Sequence, residues 1–156
     1  MIVGDFMQHK VVAIEAKSTI QEAARKIVKQ HLGVLPIVDE QGKPKGIVHL
    51  QDLLNLELPD FVHFVDDVDF VHDFGAVETT RPTTEMLMRS ITTLMQPVIT
   101  VDENCGLLRA YALMLQHRIF DIPVVNKSGK LVGIVSRVDI GTAILSQWSG
   151  VRTKKS

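Results

Sequence analysis

The chain repeats itself. Leu35-Pro36-Ile37-Val38 is matched by Ile122-Pro123-Val124-Val125, with Pro36 and Pro123 standing 87 positions apart. Gly46-Ile47-Val48-His49-Leu50-Gln51-Asp52 is matched by Gly133-Ile134-Val135-Ser136-Arg137-Val138-Asp139 at the same offset. Val11 with Val98, Ala23 with Ala110, and Gly42 with Gly129 keep that offset too. Residues 11–53 therefore align with 98–140 without a gap, so one supersecondary unit occurs twice.

Each copy reads as strand, helix, strand, strand, helix. Val11-Val12-Ala13-Ile14 and Val98-Ile99-Thr100-Val101 have the composition of short lead-in strands. Ser18 or Thr19 is placed to cap a helix whose apolar residues Ile20, Ala23, Ala24, Ile27 and Val28 fall at helical spacing. Leu107, Leu108, Tyr111, Met114 and Leu115 form the equivalent face. The strands around Pro36 and Pro123 come next, with proline expected at a strand's start or edge because it cannot donate to a ladder. Gly42 and Gly129 suit turns that need positive φ. Strands at 46–49 and 131–135 follow, then a closing helix from near Asp52 or Asp139. A unit of about 50 residues has little core of its own. The two copies are therefore expected to bury their sheets against each other about a pseudo-twofold axis, with an equivalent groove for each. The expected class is α/β (α+β): repeat 1 at 1–58, a partly helical insertion at 59–89, repeat 2 at 90–148 and a flexible tail at 149–156.

The hydrophobic-Pro-hydrophobic strands at Pro36 and Pro123, followed by the Gly-initiated segments ending at Asp52 and Asp139, resemble tandem cystathionine β-synthase (CBS) domains, the pair known as a Bateman module. The resemblance covers about 1–58 and 90–148. It implies a cleft between repeats for an adenosyl ligand: AMP, ADP, ATP or S-adenosylmethionine. It also implies that the Asp carboxylate accepts from the ribose hydroxyls, while a Ser/Thr hydroxyl three residues earlier donates to phosphate. In the second copy these roles fall to Asp139 and Ser136. Arg137 adds a phosphate partner, and Ile99, Phe120, Ile122 and Pro123 flank the adenine, with Phe120 as the stacking ring. The first copy offers Asp52 and Pro36 but has His49 at the Ser/Thr position, which makes the Asp139 site the better of the two. A neutral imidazole still donates one hydrogen bond, and a protonated one attracts phosphate. The arrangement is physically coherent: a helix N-terminus favours an anion, and apolar strand residues form a slot for a base. The plainer reading of both aspartates is helix capping. The resemblance further implies a homodimer that signals to a separate effector protein. The alternatives are a constitutive interaction scaffold with degenerate sites, or a sensor of S-adenosylmethionine or of a dinucleotide spanning both clefts.

Composition narrows the rest. Lys and Arg number 17 against 18 Asp and Glu, so no broad field attracts nucleic acid. There is no Walker-type loop, no Gly-x-Ser-x-Gly and no clustered Cys/His set, so no enzyme or catalytic cofactor is expected. The single cysteine, Cys105, permits no internal disulfide and fits a reducing compartment. Cys105 stands at a helix start, where a thiolate is favoured, but without an activating histidine it reads as a capping or packing residue. No signal peptide or membrane-spanning run is present, so a cytoplasmic location without membrane insertion is expected.

Residues 56–90 belong to neither copy. Phe61, Phe64, Val65, Val68 and Val71 fit helical spacing. His63, Asp66, Asp69, His72 and Asp73 match no closed metal-ligand spacing and read as a solvated face. Thr79-Thr80-Arg81-Pro82-Thr83-Thr84 reads as a loop. Glu85-Met86-Leu87-Met88 with Ile91, Leu94 and Met95 reads as one further helix leading into the second copy. So much apolar surface points to packing on the module or to a dimer or partner contact.

Overall fold

A computed structural model of the protein describes residues 1–58 and 81–152. The helical pattern at 61–71 and the weighed metal set at 63–73 lie outside these residues. The first copy consists of β1 (Ile14–Glu15), α1 (Ile20–Gln30), β2 (Val34–Val38), β3 (Pro44–His49) and α2 (Leu50–Leu54). After α3 (Thr84–Leu87), the second repeats the order with β4 (Val101–Asp102), α4 (Leu107–His117), β5 (Asp121–Val125), β6 (Leu131–Ser136) and α5 (Arg137–Leu145). Two three-stranded sheets result, β1-β2-β3 and β4-β5-β6, giving the mixed α+β fold expected. In each, the first pair is parallel and the second antiparallel, with an irregularity between Ile37 and Val38 and again between Val124 and Val125.

Local chemistry explains the elements. Thr19, not Ser18, caps α1: its hydroxyl accepts from the Glu22 amide at 3.1 Å, and the Glu22 carboxylate accepts from the Thr19 amide at 3.1 Å. This reciprocal capping box satisfies two amides that a helix start leaves unpaired. α1 buries Ile20, Ala23 and Ile27, and α4 buries Leu107, Ala110 and Met114. Val28, Leu108 and Leu115 were expected on the same apolar faces, but they are 81%, 71% and 55% exposed. The buried stripe is narrower than the apolar pattern because each helix packs on only one small sheet.

The prolines depart from expectation in an informative way. Pro36 and Pro123 sit mid-strand in β2 and β5, the central strands of their sheets. Their partners across the ladder are Ile47 and Ile134. Ile47 directs its backbone away from Pro36: its amide donates to the Gln96 carbonyl at 3.0 Å and its carbonyl accepts from the Gln96 amide at 2.8 Å. Ile134 does the same with Gln8, at 3.0 and 2.8 Å. A proline at this register therefore forfeits no bond to the strand beside it.

These contacts show that the lead-in segments cross over. Gln8 precedes the first copy yet pairs with β6 of the second; Gln96 precedes the second yet pairs with β3 of the first. Core membership follows. Val3 and Met7 are buried with Val101, Leu107, Met114, Ile122 and Val135. Ile91 is buried with Ile14, Ile20, Leu35 and Val48, with Leu87, Leu94 and Met95 packed alongside. The exchange is pinned at its outer end: the Val3 amide donates to Cys105 and the Ile91 amide to Ser18, each at 2.8 Å. The expected strands at 11–14 and 98–101 are thus cut to two residues each, because their first halves pass across the molecule. The single helix expected from 85 to 95 is two pieces. α3 is capped by Thr83, and a 3-10 turn over Ile91–Leu94 is capped by Ser90.

Candidate functional site

The two Gly-initiated segments end alike, each with an aspartate in the first turn of the next helix bonded back to the amide of the strand's last residue. β6 runs into α5 at Ser136, whose hydroxyl accepts from the Asp139 amide at 3.0 Å. The Asp139 Oδ2 accepts from the Ser136 amide at 2.8 Å. The plainer reading of the aspartate thus has a structural counterpart: Asp139 is the third helical residue of a capping box whose cap is Ser136. β3 runs into α2 at His49, and the Asp52 Oδ2 accepts from the His49 amide at 2.8 Å. The His49 Nδ1 stands 3.4 Å from the same oxygen, with side chains 41% and 17% exposed. The imidazole therefore leans on the Asp52 carboxylate.

Each carboxylate is also met from the other repeat. The Gln8 Nε2 donates to Asp139 Oδ2 at 3.4 Å, and the Gln96 Nε2 donates to Asp52 Oδ1 at 3.5 Å. These long bonds follow from the crossed lead-ins, which bring each glutamine beside the motif of the opposite copy. Neither glutamine was found from the sequence, although a signal existed. Met7-Gln8 recurs as Met95-Gln96 at an offset of 88, one residue out of step with the main repeat. Gly46 and Gly133 make the approach possible. A Cβ on Gly133 would lie 2.9 Å from the Gln8 carbonyl and 2.6 Å from the Met7 sulfur; on Gly46 it would lie 2.9 Å from the Gln96 carbonyl and collide with Met95.

The expected adenine-flanking residues divide. Phe120 is 61% exposed and its carbonyl accepts from the Arg137 amide at 2.8 Å, so it borders the start of α5. The Arg137 guanidinium carbon lies 4.2 Å from the Phe120 ring centroid, a cation–π contact that covers one face of the ring. The Arg137 Nε is buried without a hydrogen-bond partner among the described residues. Ile122 is fully buried in the second core, and Pro36 and Pro123 are buried in their strands. Ile99 lies three residues beyond Gln96, on the segment that arrives from the Asp52 side. The matching segment on the Asp139 side is the one following Gln8.

One further residue stands at the Asp139 site. Asp121 is the cross-strand partner of Ser136, so their side chains share a face of the sheet. Burial pushes the Asp121 carboxyl above its usual value, the Asp139 carboxylate pushes it further, and His49 opposes the shift. Because His49 belongs to the first motif, the two motifs are electrostatic neighbours. Val34 takes the place of Asp121 opposite His49. At Cys105 burial is the largest effect and raises the thiol, with Arg109 opposing it, so the helix start does not give a thiolate. A hollow of about 520 Å³ is lined by Thr100, Asp102, Asn104, Cys105 and Arg109 but touches neither capping box. Among the described residues no cluster suits a metal ion, and no helix is long and apolar enough to cross a membrane.

The family model described as the CBS domain matches residues 3–58 and 88–146. An uncharacterised protein of Methanopyrus kandleri is 30% identical over 88% of this chain and 60% of its own length. The CBS domain-containing protein CBSX1, chloroplastic, of Arabidopsis thaliana is 28% identical over 92% of this chain and 64% of its own length. The chain thus spans less than two thirds of these two relatives. Among solved structures, CBSX2 in complex with AMP superposes with a TM-score of 0.68 at 24% identity, covering 93% of this chain and 96% of that one. The CBS domain pair of protein MJ0100, in complex with 5′-methylthioadenosine and S-adenosyl-L-methionine, gives 0.67 at 24% identity, covering 92% and 95%. At these identities the likeness shows the fold.

Proposed function

The chain belongs to the CBS domain family, and from that membership we propose that it is a regulatory module that binds an adenosyl ligand beside Asp139, and beside Asp52, rather than a catalyst. The carrying observation is the build of the two motif ends. Each places a carboxylate at the first turn of a helix, and each carboxylate is met by a glutamine from the opposite repeat. Ligand contacts at such a site reach both repeats at once. Binding then biases their relative packing whenever one arrangement binds better than another. CBSX2 with AMP and the MJ0100 pair with 5′-methylthioadenosine and S-adenosyl-L-methionine support the ligand class. The nucleotides AMP, ADP and ATP and the sulfur adenosyl compounds share the adenosine that the Asp139 carboxylate would take through the ribose hydroxyls. The Ser136 hydroxyl and the α5 N-terminus then face the 5′ substituent, while Phe120 offers its uncovered face to the base.

The proposed assembly is a homodimer acting on a separate effector protein. Val28 on α1, Leu108 and Leu115 on α4 and Val138 on α5 are exposed apolar residues on regular helices, surface of the kind a second copy would cover. A constitutive scaffold is the second reading. It is favoured by His49, which leans on Asp52.

Isothermal titration with AMP, ADP, ATP and S-adenosylmethionine, repeated on Asp139→Ala, separates the readings. The adenosyl reading predicts saturable binding weakened at least about tenfold in the variant, equivalent to about 1.4 kcal/mol. Absence of heat and of thermal stabilisation with every compound would leave the scaffold.

A further inference from the structure

Asp121 is the residue at the Asp139 site that neither the repeat nor the family motif assigns. It stands across the ladder from Ser136, and directly paired residues of an antiparallel ladder bring their side chains together on one face. Ser136 is in turn locked to Asp139 by the two bonds of the capping box. Two carboxylates, both half-buried, therefore flank the hydroxyl that faces the 5′ end of a bound adenosine. The cation that would offset them is turned elsewhere. Arg137 lies over the Phe120 ring, and His49 belongs to the neighbouring motif. The first copy has no such carboxylate, because Val34 occupies the equivalent position.

Resting on the adenosyl reading above, we propose that Asp121 is the specificity-determining residue of the Asp139 site, and that it selects adenosyl ligands with a neutral or cationic 5′ group, a thioether or sulfonium, over 5′-phosphates. The physical basis is charge. A phosphate monoester carries about −1.5 to −2 near neutral pH, and a second carboxylate in a partly desolvated site repels it. A sulfonium is attracted by the same pair, and a thioether feels neither effect. Burial first, and the Asp139 carboxylate second, raise the Asp121 carboxyl above its usual value, with His49 opposing; a phosphate would add to the second of these effects.

The experiment titrates the protein at pH 7.5 with 5′-methylthioadenosine, S-adenosylmethionine and AMP. It uses the wild-type chain and the Asp52→Ala protein, in which the first motif is disabled. Each is compared with the same protein carrying Asp121→Asn, an isosteric change, and Asp121→Ser as a second variant. Expected is binding of the sulfur compounds at least about tenfold tighter than AMP in Asp52→Ala, with Asp121→Asn closing the gap by tightening AMP. Equal or tighter AMP binding in Asp52→Ala, or a ratio unmoved by either Asp121 variant, overturns the proposal while leaving adenosyl binding intact. Binding by the wild type that disappears altogether in Asp52→Ala also overturns it, because the ligand would then belong to the first site. Absence of binding in the wild type removes the adenosyl reading and this proposal together.

Discussion

Single residues here carry constraints that the sequence displays without explaining. Gly46 and Gly133 are the first residues of the repeated Gly-Ile-Val segments, and the backbone of a crossed lead-in passes where a Cβ would be. A carbonyl oxygen at 2.9 Å has no rotamer with which to yield. Gly133→Ala and Gly46→Ala should each lower stability by about 1–3 kcal/mol, seen as a lower urea midpoint with unchanged slope. His31 and Arg118 hold the left-handed conformation at matching helix ends, at φ of 57° and 54°. A side chain there costs roughly 1–2 kcal/mol, partly offset by the freedom glycine brings to the unfolded chain. His31→Gly and Arg118→Gly should therefore raise the thermal midpoint. Asp121 adds a pH signature. Its folded carboxyl titrates above its usual value, first through burial and then through Asp139. Ionising it opposes folding, so its favourable contribution is complete below the unfolded pKa and is lost as pH rises through the folded one. Asp121→Asn should be more stable than wild type at pH 7, with the difference shrinking in acid, as followed by thermal melts across pH. Asp139 was legible because an aspartate recurs at Asp52 within a gapless repeat, and Ser136 because the segment around it resembles the family motif. Asp121 was not, since nothing in its spacing reveals which residue faces it across a ladder.

At the level of elements, the order strand, helix, strand, strand, helix was readable from periodicity, and the sheets follow it. The lead-ins were misread because β-branched composition marks extended chain but not its partner. Residues 11–14 and 98–101 were expected to be whole strands, yet only their ends join a sheet. Their approach from Gln8 and Gln96 is fixed by bonds to the opposite repeat. The expected helix through 85–95 broke for a related reason. Ser90 caps a fresh turn that drops Ile91 into the first core. The crossing makes a sharp prediction. Met7→Ala should cost about 2–3 kcal/mol, and native-state hydrogen exchange should show the loss of protection in α4, β5 and β6 rather than in α1, β2 and β3. Greater loss in the elements nearer in sequence would contradict the exchange of lead-ins.

For the molecule as a whole, two half-size units were expected to share a core, and the structure instead gives two cores, each completed by a segment of the other unit. Neither half then holds all the side chains of its own interior. Calorimetry should record one transition with matching calorimetric and van't Hoff enthalpies, and isolated fragments cut between the repeats should lack that transition. The same crossing has a consequence for the order in which the chain is made. The partner of Gln8 at the second motif lies 131 residues further along. A nascent chain therefore presents the segment around Gln8 long before the surface that receives it exists. The first core, completed by Ile91 and Met95, closes while the ribosome is still extending the second. The Gln8 segment stays unsatisfied until β6 and α5 emerge, so a segment made before the whole first core is fixed in place after it.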